Sequence, residues 1–171
     1  MDSQDIILRR EVYRDDLYCL LGWVNDDQVT KHLNEQQSLG RDIEQAINGS
    51  SNEIFTHRFN HNGRFFLVEE EEEEQPIGYM RLVNKAEEGE IVLAIGEKDK
   101  WGQGLGKQTL WEGLKVAFFN MRLDGLYAKI NKQNKRSLKL FKRMGFKNIK
   151  DTDQEKVYYL SQEKFLELAV A

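Results

Sequence analysis

The sequence has 171 residues, a formal net charge of −4 and 32% charged residues, a size at which we expect one domain, residues 1–171. No apolar run approaches the roughly 18 residues of a membrane span, and the N-terminus lacks a signal-peptide pattern. The acidic balance argues against a dedicated nucleic-acid binder. Cys19 is the only cysteine, which excludes an intrachain disulfide and fits a cytoplasmic protein.

The first third of the chain is predicted to hold one strand and several short helices. The strand covers residues 6–10, and Asp15 and Asp16 are the expected N-capping side chains of the helix after it. Apolar residues at helical spacing support this helix: Leu17, Leu20, Leu21 and Val24. A break near residues 25–27 leads into a second short helix, and a third, over 42–48, ends at Gly49.

The middle of the chain has the apolar runs of β-strands, and helices and strands alternate after it. Strands are predicted over 65–69, 77–83 and 90–95. The six consecutive glutamates at 69–74 are interpreted as a solvated hairpin tip. The later elements are a helix over 107–121, a strand over 126–130, a helix over 134–144, strands over 147–150 and 157–160, and a helix near 162–168.

This order of elements predicts the fold class. An antiparallel meander leads into a strand–helix–strand crossover, which requires a parallel pair of strands. We therefore expect an α/β (α+β) fold with a mixed, mostly antiparallel sheet of about six to seven strands flanked by helices.

Three glycines at alternate positions, Gly102, Gly104 and Gly106, precede the helix predicted at 107. Glycine inside an element costs roughly 0.5–1 kcal/mol relative to alanine. Three together indicate a backbone that bends sharply or lies close to a ligand, and N–H groups at a helix start favour phosphate. The spacing matches neither the Walker A loop nor the dinucleotide fingerprint, so a flexible strand-to-helix turn stays open as the alternative.

Two motifs, separated by a helix and a strand, resemble the GNAT superfamily of acetyl-CoA-dependent N-acetyltransferases. The first corresponds to the family's Gln/Arg-x-x-Gly-x-Gly/Ala, with Trp101 in place of the leading polar residue: Trp101-Gly102-Gln103-Gly104-Leu105-Gly106. The second corresponds to Asn-x-x-Ser/Ala-x-x-x-aromatic-x-x-x-Gly-Phe: Asn134, Ser137, Phe141, Gly145 and Phe146. The resemblance is nearest to the RimJ/RimL-like and aminoglycoside 6'-type branches.

The resemblance implies acetyl-CoA as the cofactor and assigns residues to it. The backbone amides from Gly102 through Gln103, Gly104, Leu105 and Gly106 to Lys107 would hold the pyrophosphate. A bulge near the end of the strand at 91–95 would let Ile95 pair with the pantetheine arm. Asn134 would contact the cofactor, although Asn is also an ordinary helix N-cap. Trp101 is either a further cofactor contact or a hydrophobic plug under the loop, and no metal is expected.

The resemblance also suggests a base and an acid. An alkylammonium with a pKa near 10.4 must lose its proton before it attacks a thioester. Glu90 matches the catalytic glutamate of histone-type members in position, although Glu87, Glu88 and Glu90 could equally be hairpin charges. Phe141 occupies the place of the tyrosine that many members use as the acid. Ser137 matches the acid proposed for RimJ/RimL-like members, although it could be an ordinary surface serine.

The acceptor is expected to be a small-molecule or peptide amine. Asp26, Asp27 and Glu35 would form an acidic rim that attracts cationic amines, and polyamines, aminoglycosides, amino sugars and protein N-termini all stay open. The alternative function is a noncatalytic acyl-CoA-binding sensor or interaction module. We expect a monomer or homodimer that binds neither nucleic acid nor membrane, with the basic residues between 129 and 143 explained as a flank around the cofactor's phosphates.

Overall fold

The computed structural model describes residues 5–31, 33 and 36–171, with the backbone alone described at 36–38. Within these residues, strands form one sheet in the order β1-β2-β3-β4-β5-β7-β6. The strands are β1 Ile6–Arg9, β2 Gly63–Glu70, β3 Gly78–Lys85, β4 Glu88–Ile95, β5 Gly125–Asn131, β6 Lys147–Asp151 and β7 Glu155–Ser161. The helices are α1 Arg14–Val24, α2 Asp27–Thr30, α3 Gln36–Gly49, α4 Thr56–Phe59, α5 Leu105–Lys115, α6 Lys135–Arg143 and α7 Gln162–Ala169.

The sheet is mixed, as predicted. Every neighbouring pair of strands is antiparallel except β4 and β5, which run parallel and are joined through α5. A short 3-10 turn, Lys98–Lys100, precedes the glycine loop, and a π-helical segment, Val116–Asn120, extends α5. The predicted sheet type is therefore confirmed, as is the order of elements apart from the additional short helix α4.

Two hydrophobic cores lie on opposite faces of the sheet, because successive side chains of a strand point to opposite sides. On one face, Leu110, Phe141 and Phe165 bring α5, α6 and α7 against the sheet. On the other, Leu17 of α1 and Ile43 of α3 join a second buried cluster. The helices thus hold both faces of β3 and β4, the strands that lead to the glycine loop.

The glutamate run is not simply a solvated hairpin tip. Glu69 and Glu70 belong to β2, and Glu70 is fully buried. Its carboxylate lies 2.7 Å from the Nζ of Lys100, while Glu69 receives the Arg9 guanidinium at 2.6 Å. Burying a charge is costly unless it is paired. The hairpin interpretation is therefore wrong for these two residues, whose ion pairs anchor β2 to the segment before the glycine loop and to β1.

Three local predictions need correction. Helix α1 begins at Arg14 after an N-cap at Tyr13, and Asp16 caps from within the helix by accepting the Tyr13 N–H at 2.8 Å. Helix α3 is longer than predicted and includes Gly49. Helix α4 was not predicted, because four residues are too few for a periodic apolar pattern.

Strands β4 and β5 pair only at their beginnings. The register pairs are Glu88↔Gly125, Gly89↔Leu126 and Glu90↔Tyr127, although β4 continues to Ile95 and β5 to Asn131. The register between β3 and β4 is continuous over its whole length, so the predicted bulge near residues 91–95 is wrong. A gap opens in the sheet because the β4–β5 pairing stops.

Candidate active site

The gap between β4 and β5 presents backbone hydrogen-bonding groups. The Gly96 N–H donates to the Ile77 carbonyl at 2.8 Å, so Gly78 and Ile95 form a pair without mutual hydrogen bonds. Such pairs alternate along an antiparallel ladder, which gives Leu93 the same orientation. The N–H and C=O groups of Leu93 and Ile95 therefore point away from β3 and into the gap. An extended ligand with amide groups can pair with them as an added strand would.

The glycine loop exposes its backbone beside this gap, because glycine has no side chain to cover it. Gly102 and Gly104 have φ of +79° and +81°, a left-handed conformation that favours glycine. Gly104 is the N-cap of α5, and the first helical bond runs from the Gln108 N–H to its carbonyl. The N–H groups of the first turn therefore have no intrahelical partner. A Cβ built on either left-handed glycine would meet nothing within 4 Å, so the loop faces open space.

A cavity of about 670 Å³ lies between the loop, the end of β4 and the first turns of α6; we call it the loop cavity. Its lining is strongly cationic: Lys31, Lys100, Lys107, Lys135, Arg136, Lys139 and Arg143. No described acidic residue lines it. The side chain of Lys100 is already engaged by Glu70 and Glu73, whose carboxylates raise its pKa. The remaining cations suit a ligand with several negative charges.

The side chain of Trp101 connects the glycine loop to the sheet through a hydrogen bond. Its indole Nε1–H donates to the Ile95 carbonyl at 2.8 Å, and its ring lies 5.0 Å from the guanidinium carbon of Arg136. A cation over an indole face is attracted by the ring quadrupole. The residue that replaces the family's leading Gln or Arg thus holds an arginine of α6 at the edge of the loop cavity. Neither the cofactor contact nor the hydrophobic plug considered for Trp101 includes this contact with Arg136.

A second cavity of about 410 Å³, the strand cavity, opens beyond the loop cavity. The two share four lining residues: Leu33, Leu93, Asn134 and Ser137. Charged residues from β3, β4, β5 and β7 line the strand cavity: Arg81, Lys85, Glu90, Lys129 and Glu155. The cavities therefore meet at the start of α6, where a group bound in one lies next to a group bound in the other.

Glu90 is the charged residue at the point where β4 and β5 separate. Its side chain is 13% exposed, and its Oε2 lies 2.7 Å from the Nζ of Lys85 and 3.7 Å from the Nζ of Lys129. The predicted base thus lies in the strand cavity between two ammonium groups.

The start of α6 positions the two polar residues shared by both cavities. The Asn134 Oδ1 accepts the Ser137 N–H at 3.2 Å and caps the helix, which leaves the Ser137 hydroxyl outside the capping bond. Phe141, which also lines the strand cavity, is buried and packs edge-to-face on Phe146 at 5.0 Å. The alternative role of Asn134 as a helix N-cap is present, and its contact with the cofactor stays a prediction supported by its place in the cavity wall.

Of the predicted acidic rim, the structure describes Asp26 and Asp27, and neither lines a cavity. Asp26 caps α2 through the Gln28 N–H and lies 2.8 Å from the Nζ of Lys98, which lowers the pKa of Asp26. Neither Asp26 nor the exposed Asp27 is among the residues that line the two cavities. Glu35 lies outside the described residues. Asp26 instead ties α2 to the turn before the glycine loop.

Most of the residues predicted for the cofactor meet in the loop cavity: Ile95, Trp101, Gly102, Gly104, Leu105, Gly106, Lys107 and Asn134. Gln103 is the exception, since its amide donates to the Asp99 carbonyl and it lines neither cavity. Sequence reasoning missed Arg81 and Lys85 because no local motif contains them. Only the register of β3 against β4 could have placed them near Glu90.

With this geometry in view, comparison with known proteins is informative. A family model described as "Acetyltransferase (GNAT) domain" matches residues 5–147. The chain belongs to the GNAT acetyltransferase family. It is 26% identical over 141 residues to "Uncharacterized N-acetyltransferase p20" of Bacillus licheniformis, a match that covers 80% of this chain and 76% of the relative.

Solved GNAT structures share the fold. A spermidine N-acetyltransferase from Vibrio cholerae, solved with CoA and spermine, aligns with a TM-score of 0.77 at 20% identity, covering 96% of this chain and 99% of that one. A GNAT-family acetyltransferase from Bacillus anthracis aligns with a TM-score of 0.74 at 14% identity, covering 95% and 98%.

The family identifies the protein as an acetyl-CoA-dependent acetyltransferase, and the loop cavity fits that substrate. CoA carries a pyrophosphate and a further phosphate. The negative charges of these groups are complementary to the exposed backbone amides of the glycine loop and to the cationic lining of the cavity. The pantetheine arm of CoA contains amides that match the N–H and C=O of Leu93 and the N–H of Ile95, whereas the Ile95 carbonyl already accepts the Trp101 indole N–H. Among the described residues there is no cluster of metal-ligating side chains and no helix long and apolar enough to cross a membrane.

Proposed function

We propose that this protein transfers the acetyl group of acetyl-CoA to a primary amine while both substrates are bound. The observation that carries the proposal is the pair of cavities that share Leu93, Asn134 and Ser137. Acetyl-CoA occupies the loop cavity and the amine occupies the strand cavity, so the two reacting groups meet at the shared wall. Holding both reactants side by side removes much of the entropic cost of their encounter.

The loop cavity binds and orients acetyl-CoA. The amides from Gly102 to Lys107 hold the pyrophosphate, with the dipole of α5 behind them. Arg136, Lys139 and Arg143 balance its negative charge. The backbone of Leu93 and Ile95 pairs with the pantetheine arm, which directs the thioester toward Ser137.

The strand cavity prepares the amine. Glu90 accepts the proton of the incoming ammonium, directly or through a water, and the freed nitrogen attacks the acetyl carbon. The nitrogen then loses its second proton to water as the carbon–sulfur bond breaks. The Ser137 hydroxyl donates a hydrogen bond to the departing sulfur, which takes a proton from solvent, and Glu90 returns its own proton to solvent. Phe141 has no proton to give, so the serine takes the place of the tyrosine that many relatives use.

The chemistry of the chain also suggests where it works. A single cysteine cannot form an intrachain disulfide, and this fits the reducing cytoplasm. We propose the cytoplasm as the compartment in which the acetyl transfer takes place.

The test is CoA thiol release from acetyl-CoA, measured against a panel of primary amines with a no-amine control. We expect amine-dependent release that saturates with both substrates, and calorimetry should show CoA binding without any amine. If CoA binds but no amine accelerates release, the protein is a noncatalytic acyl-CoA-binding module. If CoA does not bind, the assignment of the loop cavity is wrong.

A further inference from the structure

The strand cavity has a charge pattern that bears on the acceptor. Three cationic side chains line it, Arg81, Lys85 and Lys129, against two carboxylates, Glu90 and Glu155. Among the described residues, its lining therefore carries one excess positive charge. All five residues lie on the face of the sheet opposite α5, because β3, β4, β5 and β7 are in a register that places their side chains on one side.

The negative charge of Glu90, the carboxylate proposed to act in the reaction, is already balanced by neighbouring lysines. Glu90 lies between Lys85 and Lys129, at 2.7 Å and 3.7 Å. An acceptor with several ammonium groups would have only one carboxylate beside it near the thioester, and the charge of that carboxylate is already balanced. Its other ammonium groups would lie near the positive charges of both lysines and Arg81. Like charges brought together in a partly buried cavity repel, and repulsion of this kind discriminates against wrong partners.

Lys129 is the cation best placed for an anionic ligand. Its Nζ lies 3.7 Å from Glu90, close to the longest distance of an ion pair, and its side chain is 47% exposed. Lys85 is also about half exposed but lies 1 Å closer to the same carboxylate. Lys129 can therefore turn toward a ligand while Lys85 keeps Glu90 in place.

We infer that the acceptor carries an anionic group, a carboxylate or a phosphate, in addition to its primary amine. This inference rests on the proposed function. Glu90 contacts the amine, and Lys129 contacts the anionic group. The acceptor is then an amino acid, an acidic peptide N-terminus or a phosphorylated amine, and a polyamine is a poor substrate.

The test uses amines that share one propylamine arm and differ only at the far end. These are γ-aminobutyrate with a carboxylate, aminopropylphosphonate with a phosphonate, aminobutanol with a neutral hydroxyl, and putrescine with a second ammonium. Turnover with acetyl-CoA gives kcat/KM for each, and calorimetry on the CoA-loaded protein gives binding without turnover. The carboxylate and phosphonate members separate the two sources of negative charge.

We expect the better anionic member to exceed both aminobutanol and putrescine by about three- to tenfold in kcat/KM, as a partly exposed ion pair allows. Lys129→Gln should remove most of this preference, measured as the ratio of kcat/KM for the better anionic member to kcat/KM for aminobutanol in the same variant. Lys147→Gln is the matched control, since Lys147 is exposed on β6 and lines neither cavity. The control should keep the full preference.

Two results would overturn the inference. One is equal or better use of putrescine, in which case acetyl transfer and the proposed function stand while the acceptor class is wrong. The other is a CoA-loaded protein that neither binds nor acetylates the anionic members. The broader amine panel then decides separately whether the protein transfers acetyl groups at all.

Discussion

The loop cavity and the strand cavity share a wall but are built in different ways. Most of the residues that line the loop cavity come from two stretches of the chain, residues 100–107 and 133–143. The strand cavity collects single side chains from β3, β4, β5 and β7. One cavity is uniformly cationic and the other mixes both signs.

This difference predicts that the two cavities respond differently to substitution. Backbone amides and a helix dipole remain in place when a neighbouring side chain is exchanged. Isolated side chains on separate strands can be exchanged one at a time without disturbing that cradle. Each of the following experiments changes one cavity and asks whether the other responds.

The largest effect is expected for Glu90→Gln in the strand cavity. If the carboxylate removes the proton of the amine, turnover should fall by roughly 10²–10⁴-fold while acetyl-CoA affinity stays nearly constant. Steady-state kinetics over a range of pH, with calorimetry of CoA, measures both. Glu87→Gln is the control, because Glu87 is exposed in the preceding turn and lines neither cavity. A loss below about threefold would assign proton removal to water or to another group.

The next effect belongs to the loop cavity. Gly104→Val should weaken CoA binding by about 10- to 100-fold, the loss of one or more charge-assisted hydrogen bonds. A valine cannot hold φ near +81° without strain of roughly 1–2 kcal/mol, and its methyl groups would enter the open space above the loop. Gly22→Val, at a helical site that is also open, is the control. Unchanged affinity in a folded Gly104→Val protein would contradict the phosphate cradle.

A smaller effect is expected where Trp101 holds Arg136. Arg136→Gln should weaken acetyl-CoA binding by about three- to tenfold, and Trp101→Leu should have part of the same effect because the arginine loses its support. The double variant should then lose less than the two single losses combined. Strictly additive losses would mean that Trp101 only anchors the loop. Lys142→Gln, in the same helix but outside both cavities, is the control.

Ser137→Ala acts at the shared wall and should reduce turnover by only about two- to tenfold while cofactor binding is kept. The backbone N–H rather than the hydroxyl of Ser137 makes the capping bond, so the helix start should persist. Phe141→Tyr, added to Ser137→Ala, should restore part of the turnover. An unpartnered hydroxyl at this buried position would cost about 1–3 kcal/mol of stability. Kinetics equal to the parent on the true acceptor would leave protonation of the thiolate to solvent.

The smallest effect on activity is expected for Asp26→Asn. The pKa of Asp26 is lowered in the folded protein. Its charged form therefore stabilises the fold above the pKa of the unfolded state, and this stabilisation is lost as the pH falls through the pKa of the folded state. Thermal unfolding should show the variant less stable at neutral pH, with the difference shrinking as the pH falls from about 4 through the lower pKa of the folded state. Asp27→Asn is the control. A raised KM for the amine without a change in stability would restore Asp26 to the acceptor site.

The sequence predicted the loop cavity well because its determinants are local. The three alternating glycines and the motif from Asn134 to Phe146 are each confined to a short stretch of the chain, so the resemblance could assign both to one cavity, while their roles toward the cofactor stay predictions. The prediction that the glutamate run is solvent-exposed was wrong for Glu70, because a high density of charge suggests exposure. Glu70 is instead buried against Lys100, thirty residues later in the chain. The ion pair of Asp26 with Lys98 was likewise not visible in either segment alone.

The strand cavity was harder to predict because strand register determines it. Arg81, Glu90 and Lys129 come together only through the pairing of β3 with β4 and of β4 with β5. A shift of one residue in either ladder would turn these side chains to the other face. The gap in the sheet has the same origin, because it depends on where the β4–β5 pairing stops.

That gap gives the amides of β4 unequal access to solvent deuterium. Val92 and Ala94 direct their N–H groups toward β3, whereas Leu93 and Ile95 direct theirs into the gap. In the free protein, exchange should therefore alternate from residue 92 to residue 95, slow at the two even-numbered positions and fast at the two odd ones. A ligand that pairs with the gap would slow the odd positions alone. Exchange with a period of two residues would thus report the arrival of the pantetheine arm without any chemical step.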